Sequence, residues 1–219
     1  MKFGIRSVLG VLFFLVCLLA ARVYAQPVQP VRVVLPDQAS TVMRNVATVL
    51  ARQIAQRCDA RIVTDGEAPL IVELSISPEM EADGFRIEDR PSGGVRIVGG
   101  DARGVLYGAG KLLRTSRYDQ GGFSAGSWRG TSIPGKPVRG VYFATHFHNF
   151  YHDAPIDAVQ RYVEDVALWG FNTLLVWYDM HHFHGFDTPE AVQFRARLAA
   201  ICRAARGVGE KRREARIDA

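Results

Sequence analysis

Six histidines fall between His146 and His184 and nowhere else in the 219 residues. Imidazole can ligate a metal, carry a proton or donate to a hydroxyl, so this concentration defines where chemistry is to be sought. Five of the histidines sort into two groups. His146 and His148, with Asn149, follow an apolar, partly β-branched run at residues 138–145. His181, His182 and His184, with Asp179, follow a second run at 171–178 that ends in Trp177-Tyr178. His146 and His148 alternate as side chains on one face of an extended segment do, and Asp179 and His181 do the same.

Three chemistries fit this pattern. His146, His148, Asp179 and His181 form a donor set suited to zinc or iron in a metal-dependent hydrolase, although no strict spacing such as H-E-x-x-H occurs. The same residues with Asn149 and Trp177 suit a sugar subsite, where ring faces stack on a pyranose and imidazole donates to its hydroxyls. Plain structural roles are the third. The sugar subsite is the expectation carried forward, with no metal and no cofactor assigned.

The elements that position these groups can be read from hydrophobic period. Between the two runs, Ile156, Val159, Tyr162, Val163, Val166 and Ala167 mark one face of a helix over residues 156–169. Gly170 ends it in the manner of a C′ glycine. A further helix begins near Pro189, with Phe194, Leu198, Ile201 and Cys202 on one face. Strand, helix, strand, helix implies a parallel pair whose following loops lie side by side at the carboxyl ends, where α/β folds bind ligands.

The region before it reads as a separate unit. Short strands are expected at residues 31–35, 60–64, 69–75, 84–89 and 95–98, the last two forming a hairpin. Helices are expected at 40–57, capped by Ser40, and at 101–117. The order is β-α-β-β-β-β-α. The glycines of residues 104–110, GVLYGAG, lack the Lys-Ser/Thr of a phosphate loop and are read as permitting close helix–sheet packing. Residues 119–136, rich in Gly and Ser, read as a linker.

Residues 99–114, GGDARGVLYGAGKLLR, resemble the end of the small α/β domain that precedes the barrel in exported β-N-acetylhexosaminidases of glycoside hydrolase family twenty and in α-glucuronidases. Arg103-Gly104, Tyr107-Gly108 and Leu112-Leu113 carry that likeness. Arg139-Gly140 resembles the start of their first barrel strand, Trp169 to Leu174 the entry to the second, and Tyr178-Asp179 its end. The resemblance implies an α/β protein: a small α+β domain at residues 26–118, then the first two β/α units of an incomplete (β/α)8 barrel at 137–209. It implies hydrolysis of O-glycosidic bonds in oligo- or polysaccharides, and it implies that Arg139 holds sugar hydroxyls. Phe143-Ala144 stands where those hexosaminidases carry Leu-Asp, and the His146–Phe150 cluster is not theirs, which loosens the implied N-acetyl specificity.

A full barrel takes roughly 250 residues and at least about 200, whereas 82 follow Pro137. The charged tail at 210–219 stands where a third strand belongs. The expectation is a fragment without the catalytic acid pair, inactive alone. The alternatives are a non-catalytic carbohydrate-binding module and a gene remnant.

Composition narrows partners and location. The formal charge of +5 is concentrated at the two ends, leaving residues 26–202 at about −1. That gives no electrostatic footprint for nucleic acid. Lys2 and Arg6 precede an uncharged run, and Val23-Tyr24-Ala25 fits a signal-peptidase site. Residues 1–25 therefore read as a signal peptide, with a secreted or periplasmic destination and no stable membrane insertion after cleavage. Cys58 and Cys202 are expected to be unpaired buried thiols. Amino-terminal sequencing of the exported protein should begin at Gln26; retention of Met1 in the mature form would contradict the signal.

Overall fold

The computed structural model describes residues 28–58, 60–120, 122–145, 147–178 and 182–209. The proposed signal segment, Asp179, His146, His181 and the charged tail lie outside these residues. Among the described residues no helix is long and apolar enough to cross a membrane.

The amino-terminal unit is a six-stranded sheet with two helices against one face. Its strands are β1 (Pro30–Val34), β2 (Arg61–Val63), β3 (Leu70–Ile76), β4 (Phe85–Asp89), β5 (Val95–Gly99) and β8 (Gly130–Ser132), in spatial order β2-β1-β3-β5-β4-β8. The pairs β2–β1, β1–β3 and β3–β5 are parallel; β4 runs antiparallel to both of its neighbours. Alternation decides the faces. Val31, Val72, Leu74, Ile87, Val95 and Ile97 are buried under the helices. Their neighbours on the other face carry charge, and Glu73 there receives Arg90 and Arg96, each at 2.7 Å. The two arginines hold the Glu73 carboxyl below its ordinary range despite burial.

The helices are α1 (Thr41–Ala55) and α2 (Ala102–Thr115). Ser40 caps the first through the Met43 amide and Asp101 caps the second through the Gly104 amide. The glycine-rich face of α2 is a packing surface. A Cβ on Gly104 would strike the Gly84 carbonyl, one on Gly108 the Ile97 side chain, and one on Gly110 the Leu168 carbonyl.

The stretch read as a linker at residues 119–136 is more ordered than its Gly/Ser content suggests. It completes a hairpin of β6 (Arg117–Asp119) and β7 (Gly122–Ser124) and supplies the edge strand β8. These strands are three residues long, too short for alternation to show, and Gly122 and Gly130 adopt positive φ. Phe123 nonetheless seals the core at 1% exposure.

The second unit contains two parallel strands, β9 (Gly140–Phe143) and β10 (Thr173–Val176), paired from Gly140↔Thr173 to Phe143↔Val176. Between them lie a short helix α3 (Phe150–Asp153), not anticipated from the sequence, and α4 (Ile156–Leu168). Helix α5 (Pro189–Gly207) follows. Val141, Phe143, Leu174 and Val176 pack beneath α4 and α5, where Val159, Val163, Phe194, Leu198 and Ile201 form the core. Among the described residues Cys58 and Cys202 are in no disulfide, and both are half-buried rather than buried.

The two units are clasped at the amino ends of β9 and β10. Asp83, in a turn with φ of 64° that Asp tolerates better than most residues, is 7% exposed. Its carboxylate lies 2.7 Å from Arg103 and 2.9 Å from Arg139, and accepts from Asn172 Nδ2 at 3.1 Å. Tyr107 lies under the Arg139 guanidinium and donates to the Phe171 carbonyl. Burial, reinforced by the Asp83 charge, pushes its phenol up to about 12. Further across the contact, Gln53 donates to Asp165, Arg52 pairs with Glu164, and Arg114 donates to the Leu168 carbonyl. Asp83→Asn keeps the turn geometry but leaves the half-buried Arg139 guanidinium without a counter-charge and Arg103 with Asp101 alone. It should cost about 3–5 kcal/mol in urea unfolding, the range for breaking a buried pair.

Candidate functional site at the carboxyl ends of β9 and β10

The loops after the two strands do lie side by side. Thr145, fully buried, joins them: its hydroxyl donates to the Trp177 carbonyl, and the Trp177 amide donates back to Thr145 Oγ1 at 3.0 Å. This reciprocal pair closes the sheet just beyond its last paired residues and fixes the spacing of the loops that follow.

Helix α3 organises the first loop. Asn149 caps α3 by accepting from the Tyr151 amide, and its Nδ2 donates back to the Ala144 carbonyl at 2.9 Å, which ties the cap to the end of β9. Arg197 on α5 donates to the Tyr151 and Ala154 carbonyls at the other end of α3. Burial draws the Arg197 guanidinium below its ordinary value, with Asp153 opposing. Burial likewise raises the Tyr151 phenol, helped by neighbouring Tyr162.

The turn of α3 carries His148 and His152 to one side. Their rings are 4.7 Å apart, and the His182 ring, from the loop after β10, stands 6.0 Å from His148. His152 stacks on Phe194 of α5 at 5.1 Å, and Phe194 lies against Phe183 and Tyr178. An aromatic ladder thus runs from one loop through α5 to the other. Beside it opens a cleft of about 250 Å³ lined by His148, His152, His182, Phe183, His184 and Glu190.

The sequence-selected residues divide clearly. His148 is at the cleft. Trp177 sits at the end of β10, 53% exposed, on the face turned away from the helices. Asn149 is engaged in capping α3. Arg139 is at the opposite, amino end of the strands, its donors directed to Asp83, Gly170 and Lys136; the structure gives it the salt-bridge role at the floor rather than a place at the cleft. His146, Asp179 and His181 lie outside the described residues. The sequence reading missed His152 and Glu190. His152 sits in the single turn of α3, and His148 just before its Asn149 cap, so the pairing could have been read only had α3 been foreseen. Glu190 is in the first turn of α5, behind Pro189, where acidic residues are ordinary cap features, and carried no signal.

Neither a family model nor a curated protein matches this sequence. Solved structures do. A family 138 glycoside hydrolase targeting pectin rhamnogalacturonan II superposes with a TM-score of 0.58 at 14% identity, covering 82% of this chain and 30% of that one. A family 115 4-O-methyl-α-glucuronidase with specificity for decorated arabinogalactans gives 0.60 at 17%, covering 84% and 28%. A family 20 exo-β-N-acetylglucosaminidase of Vibrio harveyi gives 0.53 at 14%, covering 68% and 22%. The fold is glycoside-hydrolase-like. At these identities the likeness establishes fold and nothing finer, and this chain spans less than a third of the length of each of the three.

Thr145→Val removes the acceptor for the Trp177 amide without changing side-chain volume. It should cost about 1–3 kcal/mol, the desolvation of a buried unsatisfied donor. It should also raise amide exchange at Trp177, measured by urea unfolding and hydrogen-exchange mass spectrometry.

Proposed function

We propose that this chain is a portion of an exported glycoside hydrolase of the hexosaminidase–glucuronidase kind. Residues 137–209 supply two β/α units of its (β/α)8 barrel, and the cleft beside α3 is a sugar subsite. The observation that carries the reading is the placement of His148, His152 and His182 around one cleft at the carboxyl ends of a parallel strand pair. Imidazoles there donate to ring hydroxyls while Trp177 offers a flat apolar face to a pyranose.

A second feature supports the barrel. Tyr142 and Leu175 are register partners and both are exposed, at 43% and 49%, on the strand face opposite the helices. In a closed barrel that face is the packed interior. The clasp around Asp83 lies at the other end of the strands, the end that barrel enzymes reserve for stability.

The reading assigns no catalytic residue. Glycoside hydrolysis commonly uses two carboxyl groups flanking the bond, and in the hexosaminidases this sequence resembles the acid pair follows a later strand. The chain is therefore expected to bind saccharide and not to cleave it. Titrating N-acetylglucosamine oligomers and arabinogalactan fragments should quench indole fluorescence. Trp177→Ala and His182→Ala should each weaken that binding about tenfold, the ~1.4 kcal/mol of one stacked or hydrogen-bonded contact. Aryl-glycoside turnover should stay at background. Unchanged binding in both variants, or turnover by the pure chain, would refute the assignment.

A further inference from the structure

At the edge of the cleft, which His148 and His152 line, lies a donor set that the sequence did not single out. His148, His152 and Asp153 each bring one ligand atom to within 4.8 Å of the others. His148 Nδ1 is 3.5 Å from Asp153 Oδ1. Tetrahedral zinc with bonds near 2.0–2.1 Å separates its ligand atoms by about 3.3 Å, so one edge of the site already has that length. The rest requires only rotation of side chains that are free to rotate: those of His148 and Asp153 are 74% and 56% exposed.

His152 supplies a second, independent observation. Its Nδ1 lies 3.3 Å from the Thr145 carbonyl. A carbonyl oxygen only accepts, so Nδ1 carries the hydrogen and Nε2 keeps the lone pair. A ring nitrogen anchored on a backbone carbonyl while the other is left for the ion is the usual arrangement of a metal-ligating histidine. The anchor is itself rigid, because Thr145 is buried and tied to Trp177, and the His152 ring is held flat on Phe194. Packing and hydrogen bonding thus preset one ligand, leaving the ion to order the other two.

We propose that His148, His152 and Asp153 bind a late first-row divalent cation of the Zn²⁺ class, with His182 across the cleft as the fourth ligand. Two imidazoles and one carboxylate disfavour Mg²⁺ and Ca²⁺, which prefer all-oxygen sets. The donors differ from the His146, His148, Asp179, His181 set suggested by alternation: His152 and Asp153 come from the short helix α3, which the sequence did not announce. The site goes beyond the carbohydrate reading and does not depend on it.

The test uses tag-free chain stripped with EDTA and dialysed. Calorimetric titration with Zn²⁺ should show one equivalent bound at micromolar affinity or better. Co²⁺ should develop the strong visible d–d bands of a four- or five-coordinate ion. His148→Ala and His152→Ala should each weaken Zn²⁺ binding by more than about tenfold, while Asp157→Asn, on α4 and paired with Arg161, leaves it unchanged. His152→Ala also loses its stacking on Phe194, which holds the loop; the exposed Asp153→Asn keeps the test independent of folding and should also weaken Zn²⁺ and alter the Co²⁺ spectrum. No binding by the parent chain, or binding undiminished in His148→Ala and Asp153→Asn, would overturn the assignment. Saccharide titration of the EDTA-stripped chain separates this outcome from the fate of the sugar subsite.

Discussion

Asp83 holds the molecule together across its main internal boundary. One carboxylate faces Arg103 from the start of α2 and Arg139 and Asn172 from the amino ends of β9 and β10. Placing a charge at such low exposure is costly, and the attraction of its partners offsets that cost only when every lone pair is met in good geometry. The surrounding structure meets that condition at Oδ2, which accepts from Arg139 and Asn172, whereas Oδ1 is faced by the Arg103 charge at 2.7 Å without a hydrogen bond. Asn172, fully buried, also donates to the Pro137 carbonyl and accepts from the Arg139 amide, while Arg139 donates in addition to Gly170 and Lys136. The orientation of the β/α units relative to the sheet domain follows from this node and from the Gly110–Leu168 approach, which admits no side chain.

The site at the other end is built differently. Its parts come from two loops and α5, and they are held by ring stacking and by backbone hydrogen bonds rather than by buried charge. Thr145 does for the strand ends what Asp83 does for their beginnings, but with a neutral hydroxyl. The imidazoles are left at the surface of that scaffold. His152 alone is fixed on both sides, by Phe194 and by the Thr145 carbonyl.

Much of this was legible in the sequence, and the reasons are local. Helices α1, α2, α4 and α5 announce themselves through apolar period and caps, since Ser40, Asp101 and Gly170 sit where helix ends demand them. Strands β1, β3, β4 and β5 show as apolar runs or alternation. Three features did not show. Strands β6 to β8 are too short to carry a period and are rich in residues that signal turns. Helix α3 is a single turn whose aromatic and histidine residues have no strong helical preference; its existence depends on the Asn149 cap and on Arg197, 44 residues beyond Asp153. Arg139 could be placed at a strand start from its Gly neighbour, but only Asp83, 56 residues earlier, determines that its guanidinium turns to the floor. Pattern reading sees the chain within a window of a dozen residues, and the last two of these outcomes each drew on a partner outside it.

The reciprocal bond between Thr145 and Trp177 has a consequence for how such a protein changes over time. It separates the paired strands from the loops that follow them, which touch the core beneath through a few aromatic rings such as Tyr151 on Phe143. Residues beyond it can be exchanged, inserted or lost while the framework beneath stays folded. Ligand preference at this pole is therefore free to diverge among descendants, whereas the Asp83 pole tolerates almost no experiment.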